Sequence, residues 1–255
     1  MSCLAEQAKI LIAEAEENNL NNKVLAERFD RWSDCSLCEQ EYHGVVACAL
    51  GWAGWKTYVG RPETDWARRL AMTRLGNGLS EAEHDEEALS VQEAELAMYR
   101  RFGAASANNI LAMQSNLATT YSALGRDEQA LQIYRDVYSG RLKLSGEEHT
   151  STLRAAINYA MTLLQVKRFE EAKRLLRKVS PVARRVLGTE HELTLSLREV
   201  LSRATLDGES SAEEKHEALR MLEDVAAVMR RVLGPTHPDT LHAQEKLEGY
   251  RQRIE

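Results

Sequence analysis

The sequence of 255 residues is organised by a phrase that recurs at a nearly fixed interval. Three eleven-residue segments share a histidine and, four positions later, a leucine: SGEEHTSTLRA (145–155), LGTEHELTLSL (187–197) and LGPTHPDTLHA (233–243). Their histidines, His149, His191 and His237, lie 42 and 46 residues apart. A period of this size is typical of stacked supersecondary units. The feature therefore predicts a repeat array and constrains the fold more than any other property of the sequence.

The same interval extends upstream of the histidines. Residues 117–131 lie 42 positions after residues 75–89 and share Asp, Glu, Ala and Leu with them, and residues 159–173 keep this frame. A fourth copy, residues 214–234, is delayed by four residues. The extra residues fall in 207–215, whose Gly and Ser predict a loop. Repeat arrays tolerate insertions of this kind, since they affect only a turn between helices.

Each repeat is predicted to contain two helices, because Gly and Pro are scarce and apolar residues recur every three or four positions. In the third copy, helix A is expected over about 150–166, with Thr150 or Ser151 as its N-cap. Helix B is expected over 169–187, ending at Gly188. A helix pair with one apolar stripe on each helix buries that stripe only by stacking on its neighbours.

The pattern predicts an all-α chain with a helical N-terminal leader over residues 1–63 and a repeat array over 64–255. We expect four hairpins and a C-terminal capping helix, at about 64–105, 106–147, 148–189, 190–235 and 236–255. The recurring histidines precede helix A of their repeats. Because a turn is needed once per repeat and a catalytic group is not, we interpret them as structural.

Composition excludes several classes of function. The chain has 33 basic and 39 acidic residues with the two signs interspersed, which argues against nucleic acid or an anionic membrane as partner. No apolar run approaches the roughly 18–20 residues of a membrane span, and the N-terminus does not resemble a signal peptide.

Four cysteines are too few for a disulfide scaffold, so we expect a reducing, cytoplasmic setting. Since no nucleophile motif or phosphate loop is present, we predict no catalysis and no cofactor.

The leader contains one formal metal motif. Its residues follow the spacing of a zinc knuckle, C-x2-C-x4-H-x4-C: Cys35, Cys38, His43 and Cys48. Three thiolates and an imidazole suit tetrahedral zinc. Residues 45–55, however, read as an apolar helix with Val45, Ala49, Trp52 and Trp55 on one face, on which Cys48 would be a small buried side chain. We therefore predict no metal, although the sequence leaves the zinc alternative open. The tryptophans, Trp66 included, are interpreted as core or stacking residues.

Several of these motifs together resemble the tetratricopeptide repeats of the kinesin light chain type. The linker LGPTHPDTL (233–241) and the hairpin segments SNLATTYSALGRDEQALQIY (115–134) and INYAMTLLQVKRFEEAKRLL (157–176) carry the resemblance, which covers about residues 64–255. It implies a right-handed superhelical solenoid of helical hairpins. It also implies that the concave face, lined by the A helices, holds a peptide of a partner protein.

The resemblance further implies which residues contact that peptide. Members of the family present an Asn on helix A, matched here by Asn116 and Asn158. The implied contact residues share this helix face or its aligned positions: Asn116, Asn158, Thr120, Thr162, Asn109, Arg154 and Arg74. At the aligned position of the outer repeats stand Arg74 and Val200. An Asn could instead be an ordinary polar residue where two helices meet, and both interpretations stay open.

We therefore expect a non-catalytic scaffold or adaptor that binds a protein or peptide partner. Two alternatives stay open: a structural subunit of a larger assembly, or a zinc-bearing N-terminal module with a repeat tail. The sequence predicts neither the partner nor the oligomeric state. A link to a kinesin motor is not implied, because the sole heptad candidate, residues 4–31, is too short for a convincing seam.

Overall fold

A computed structural model of the chain describes residues 2–35, 37–102 and 106–254. The α-helices, numbered in chain order, are α1 (Ser2–Glu17), α2 (Asn22–Phe29), α3 (Gly44–Tyr58), α4 (Trp66–Glu81), α5 (Asp85–Phe102), α6 (Ala107–Ala123), α7 (Asp127–Ser145), α8 (Thr150–Gln165), α9 (Phe169–Leu187), α10 (Glu192–Asp207), α11 (Ala212–Val232) and α12 (Pro238–Ile254). A 3-10 turn spans Asp30–Trp32. Within these ranges the only β-type pairing is an isolated bridge between Asp34 and Glu41. The predicted all-α fold of helical hairpins is therefore confirmed.

The chain forms two compact units, Met1–Arg126 and Asp127–Glu255. The first contains α1 to α6 and the second contains α7 to α12. None of the helices in the described ranges is long and apolar enough to cross a membrane.

In the first unit, the predicted leader and the first repeat helix share one core. Buried side chains from α1, α2, the 3-10 turn, α3 and α4 form a single cluster: Ala8, Ile12, Phe29, Trp32, Tyr58, Ala67 and Ala71. Phe29 and Trp66 meet edge to face, with ring centroids 5.6 Å apart. The leader thus covers apolar surface of α4 that would otherwise face water. The boundary between leader and array stays a prediction.

Helices α3 and α4 approach each other unusually closely because glycines line their contact. A Cβ atom at Gly78 would lie 2.7 Å from the carbonyl oxygen of Ala47. A Cβ atom at Gly51 would lie 2.9 Å from Cα of Leu75. Both contacts are with backbone, which cannot swing aside as a long side chain does. Glycine at these positions therefore fixes the distance between the two helices.

Two of the four residues predicted on the buried face of α3 are exposed, whereas Trp55 of the same face packs against a core cluster. Val45 is 75% exposed and Trp52 is 42% exposed, so neither is a core residue. The helix instead buries its small residues, Gly51 and Gly54, together with Leu50 and Tyr58. Apolar residues predicted one face, whereas the face with the glycines is buried because glycine allows the two backbones to pack closely.

In the second unit, each side of α10 belongs to a different core cluster. Leu193 and Leu197 pack with buried residues of α8 and α9. Leu195 and Leu206 pack with α11 and α12. Because α10 is apolar on both sides, it joins the third hairpin to the fourth, as stacking of repeats requires.

The four-residue insertion before α11 packs against α9. The buried Lys173 of α9 donates to Ser210 Oγ at 3.1 Å and to the carbonyl oxygen of Glu209 at 3.4 Å, and it forms an ion pair with Glu170. A Cβ atom at Gly208 would lie 2.7 Å from the carbonyl oxygen of Ala204. The predicted loop is therefore held in place by specific contacts.

The recurring histidines are helix N-caps. Nδ1 of His149 accepts the backbone N–H of Ser151 at 3.2 Å, so His149 caps α8 instead of the predicted Thr150 or Ser151. Nδ1 of His237 accepts the N–H of Asp239 at 3.3 Å at the start of α12. Helix α9 ends at Gly188, whose φ of +91° is a backbone conformation that glycine adopts at little cost.

Candidate peptide-binding surface

Helix α8 of the second unit exposes one narrow stripe. Contacts with α7, α9 and α10 bury most of its surface. The half-buried Tyr159 stacks on Tyr138 of α7. Three exposed side chains and the half-buried Asn158 follow steps of four, three and four residues: Arg154, Asn158, Met161 and Gln165. At about 100° per residue they lie within about 60° of one another around the helix. We call these four residues the α8 stripe.

Two polar side chains of the α8 stripe have no hydrogen-bond or ion-pair partner among the described residues. The backbone oxygen of Asn158 accepts the Thr162 hydroxyl at 2.9 Å, but its side-chain amide forms no hydrogen bond with any described residue. The exposed Arg154 likewise has neither an ion pair nor a hydrogen bond within the described ranges. An Asn amide can donate to and accept from a peptide backbone, and an Arg can bind a carboxylate.

The α8 stripe also carries an apolar side chain that the sequence pattern did not predict as a contact residue. Met161 lies one turn after Asn158 and is 38% exposed. A flexible thioether is suited to contact with varied apolar side chains of a ligand. The sequence could have indicated Met161 as a contact residue, because it is apolar yet lies on the helix face that carries Arg154 and Asn158.

The matching asparagine of the first unit is engaged with a neighbour. Asn116 Nδ2 of α6 donates to Asn77 Oδ1 of α4 at 3.0 Å. Asn109, near the start of α6, is exposed, and its backbone N–H is capped by Ser106 Oγ at 3.2 Å. Asn116 thus fits the alternative role of a polar residue at a helix–helix contact, while Asn109 stays accessible.

Three other predicted contact residues are occupied within their own units. Thr120 is fully buried and its hydroxyl donates to Gln92 Oε1 at 2.8 Å. Thr162 is 2% exposed and bonds within α8. Arg74 forms an ion pair with Asp30 at 3.0 Å. The two threonines are too deeply buried to contact a ligand, so we leave them out of the candidate surface.

Of the seven predicted residues, the second unit thus brings two together with accessible, uncommitted side chains, Arg154 and Asn158. The column of asparagines does not continue into α10, because Val200 at the aligned position is fully buried. Ligand contact by Asn109, Asn116 and Arg74 stays a prediction.

The cysteines of the leader occupy different environments. Cys48 on α3 packs against the core cluster of Leu75, Leu79 and Ala88, and burial raises the pKa of its thiol. Cys35 lies in a turn in which the backbone N–H groups of Cys38 and Leu37 donate to its sulfur and lower its pKa to about 7. Among the residues with described positions, no three His, Cys, Asp or Glu side chains are grouped so as to hold a metal ion.

Comparison of the sequence with known families identifies repeats. The model of the tetratricopeptide repeat matches residues 110–151, 152–192 and 209–239. No curated protein sequence matches the chain. The expected resemblance to tetratricopeptide repeats is confirmed for these segments.

Solved structures share the fold at low sequence identity. Two crystal structures of a Podosopora anserina kinesin light chain-like protein with nearly identical TPR-like repeats, one of them of a single-residue variant, are each 21% identical to this chain. The alignment with the variant has a TM-score of 0.60 and covers 91% of this chain and 97% of that chain. The alignment with the second structure has a TM-score of 0.58 and covers 90% of this chain and 96% of that chain. BtubC (BKLC) of P. vanneervenii is 14% identical, with a TM-score of 0.53 over 82% of this chain and 88% of its own. These likenesses establish the fold and leave the biological role to be argued from the chain itself.

Proposed function

We propose that this chain, a tetratricopeptide-repeat protein with the fold of kinesin light chain-like proteins, is a non-catalytic adaptor that binds an extended peptide on the α8 stripe. The observation that carries the proposal is the uncommitted amide of Asn158, flanked by the free guanidinium of Arg154 and the exposed Met161. No cofactor enters this role. The reducing cytoplasm, in which the four free cysteines would stay reduced, is its proposed location.

The spacing of the α8 stripe suggests what the peptide looks like. Arg154 and Asn158 are separated by four residues, or about 6 Å along the helix axis. An extended peptide rises about 3.3 Å per residue, so this distance spans two peptide residues. A peptide whose backbone is held by Asn158 would therefore place an Asp or Glu side chain near Arg154, two positions away. An apolar side chain on the other side would contact Met161.

Binding through uncommitted polar groups has a favourable energetic basis. The Asn158 amide has no internal hydrogen bond to lose, so a peptide only has to displace water from it. Arg154 likewise has no competing carboxylate within the described ranges.

A solved Rap protein in complex with Competence and Sporulation Factor has a related fold, at 12% identity and a TM-score of 0.50 over 98% of this chain and 65% of its own.

Selection from a library of random twelve-residue peptides tests the proposal. Peptides selected on the full chain should be enriched in an acidic residue near an apolar one, and Asn158→Ala and Arg154→Ala should each weaken their binding about tenfold. Arg174→Ala is the matched control, since Arg174 is an exposed arginine on the neighbouring helix α9. Selected peptides that bind both stripe variants as tightly as the wild type would contradict the proposal.

A second candidate role, a subunit of a larger assembly, is favoured by one observation in the first unit. Val45, Trp52 and Val59 of α3 and its C-cap are 75%, 42% and 39% exposed and follow one another at seven-residue steps, so they form an apolar line along the helix. A partner subunit would cover this line. Replacing Trp52 with Glu would then abolish co-assembly without weakening peptide binding to α8.

A further inference from the structure

The second unit contains a cavity of about 590 Å³ between α9, α10 and α11, away from the α8 stripe. Residues on three successive turns of α9 line one wall: Arg177, the adjacent Ser180 and Pro181, and Arg184. The cavity is large enough for a small organic ligand.

The charge of the lining favours an anion. Three arginines and one aspartate line the cavity, which leaves an excess of two positive charges. The aspartate, Asp224, is already paired with Arg198 at 2.6 Å. Arg177 and Arg184 are exposed and make no hydrogen bond or ion pair with any described residue. Two guanidinium groups are therefore available to a ligand with two negative charges.

Two acidic residues lie beside one end of this lining. Glu214 and Glu217 line a smaller recess of about 200 Å³ that shares Arg177 with the cavity. Glu214 accepts the backbone N–H of Ser211 at 2.8 Å in the capping box of α11. Hydrogen bonds from Ser211 and, to a lesser extent, the positive charge of Arg177 lower the pKa of Glu214, so these glutamates offset part of the charge of Arg177. Neither glutamate lines the cavity that contains Arg184.

Two buried hydroxyl groups at the cavity wall lack partners. Thr194 is 1% exposed, and its Oγ1 has no hydrogen bond. Ser180 Oγ is buried without a partner as well. A buried hydroxyl without a partner costs free energy, and such groups in folded proteins are commonly satisfied by a water or a ligand. Both hydroxyls can donate to an oxyanion.

The apolar wall of the cavity consists of Pro181, Leu201 and Met221. Pro181 lies inside α9 and has no N–H, so the helix lacks its usual bond to the carbonyl of Arg177. An inorganic ion alone would leave this wall in contact with water. The combination fits a molecule with a dianionic head and an apolar body.

We propose that this cavity is a binding site for a phosphate monoester that carries an apolar group. Arg177 and Arg184 would hold the phosphate oxygens, because the planar guanidinium matches their geometry. Thr194 and Ser180 would donate their hydroxyl hydrogens to the same group, and Leu201 and Met221 would contact the apolar body. A single carboxylate would neutralise only one of the two excess charges. The site is independent of the α8 stripe.

Calorimetric titration of the full chain with phenyl phosphate tests this site. We expect saturable one-to-one binding, at least tenfold tighter than that of inorganic phosphate, which lacks the apolar body, and of benzyl alcohol, which lacks the charge. A peptide containing phosphotyrosine distinguishes the source of the phosphate. Tighter binding of the peptide would assign the site to a modified protein, and equal binding to a free metabolite.

Three variants complete the test. Arg184→Gln should weaken phenyl phosphate about tenfold, and Thr194→Val, which keeps the side-chain shape, about fivefold. Arg174→Gln, an exposed arginine on the same helix outside the lining, should have no effect. Thermal unfolding of each variant establishes that it is folded. Absence of saturable binding to the wild type, or equal weakening by Arg174→Gln, would overturn the proposal.

Discussion

Nδ1 of His191 accepts the backbone N–H of Leu193 at 3.2 Å, so a histidine caps the first turn of α10. His149 caps α8 in the same way. The recurring histidine is thus explained by a local hydrogen bond that each of these helices needs at its N-terminus. Its ring nitrogen accepts a first-turn backbone N–H, as the side-chain oxygens of Asn21 and Asp65 do at α2 and α4.

Removal of this cap is expected to destabilise the second unit. His191→Ala should lower the free energy of unfolding by about 1 kcal/mol, because an N–H of the first turn loses its acceptor. His191→Asn, which restores an acceptor, should recover most of the loss. Urea denaturation of both variants measures the difference. Equal stabilities of the Ala and Asn variants would show that the ring nitrogen does not act as a cap.

Glu95 predicts a pH-dependent stability of the first unit. It is 3% exposed on α5, accepts a hydrogen bond from the Thr73 hydroxyl, and burial raises its pKa from 4.5 to about 7. The folded state therefore binds more protons than the unfolded state between about pH 4.5 and 7. Stability contributed by the protonated carboxyl is lost as pH rises through this range.

Glu95→Gln should remove this dependence. The variant should gain stability relative to the wild type as pH rises from about 4.5, with the difference levelling off above about pH 7 at about 3 kcal/mol. Glu87→Gln, at an exposed position of the same helix, should show no such trend. Denaturation across about pH 4 to 8 measures the free energy of unfolding of both variants. If Glu95→Gln differed from the wild type by the same amount at every pH, Glu95 would not be protonated in the folded protein.

The glycine contact between α3 and α4 makes a third prediction. Gly78→Ala should destabilise the first unit by about 1–3 kcal/mol, because its Cβ would lie 2.7 Å from a backbone oxygen and the helices would have to separate. Gly60→Ala is the control, since a Cβ there meets no atom within 4 Å. Thermal unfolding compares the two, and similar midpoints would mean that the helix contact adapts without cost.

The leader is predicted to fold without a metal. Native mass spectrometry of the purified chain, with and without a chelator, should give the same metal-free mass, and the unfolding temperature should not change. The physical reason is that Cys48 packs against the core cluster of Leu75, Leu79 and Ala88. One bound zinc, lost together with stability on chelation, would establish the zinc module that the spacing of the cysteines allows.

The sequence predicted the helices well because its signals are local. The third hairpin was expected over 150–166 and 169–187, and α8 and α9 span 150–165 and 169–187. Apolar periodicity, scarce helix breakers and Gly188 all act within a few residues of the chain. The resemblance to tetratricopeptide repeats rested on the same local motifs.

The candidate site was predicted less completely, because contacts between helices decide which side chains stay available. Asn116 and Asn158 occupy matching repeat positions, yet only Asn116 meets an Asn77 on a neighbouring helix. Thr120 is buried because Gln92 reaches it from α5. Such pairings depend on the packing of particular helices, which a repeat pattern does not specify.

The central claim, that the α8 stripe binds an extended peptide, is tested most directly by site-specific photocrosslinking. The variant Met161→p-benzoylphenylalanine places the photoreactive group on the stripe, and Val186→p-benzoylphenylalanine places it at a similarly exposed position on α9. On irradiation with a library-selected peptide, we predict a crosslink from Met161→p-benzoylphenylalanine and none from the variant at Val186. A crosslink from the Val186 variant alone, or none from the Met161 variant at a saturating peptide concentration, would contradict the account.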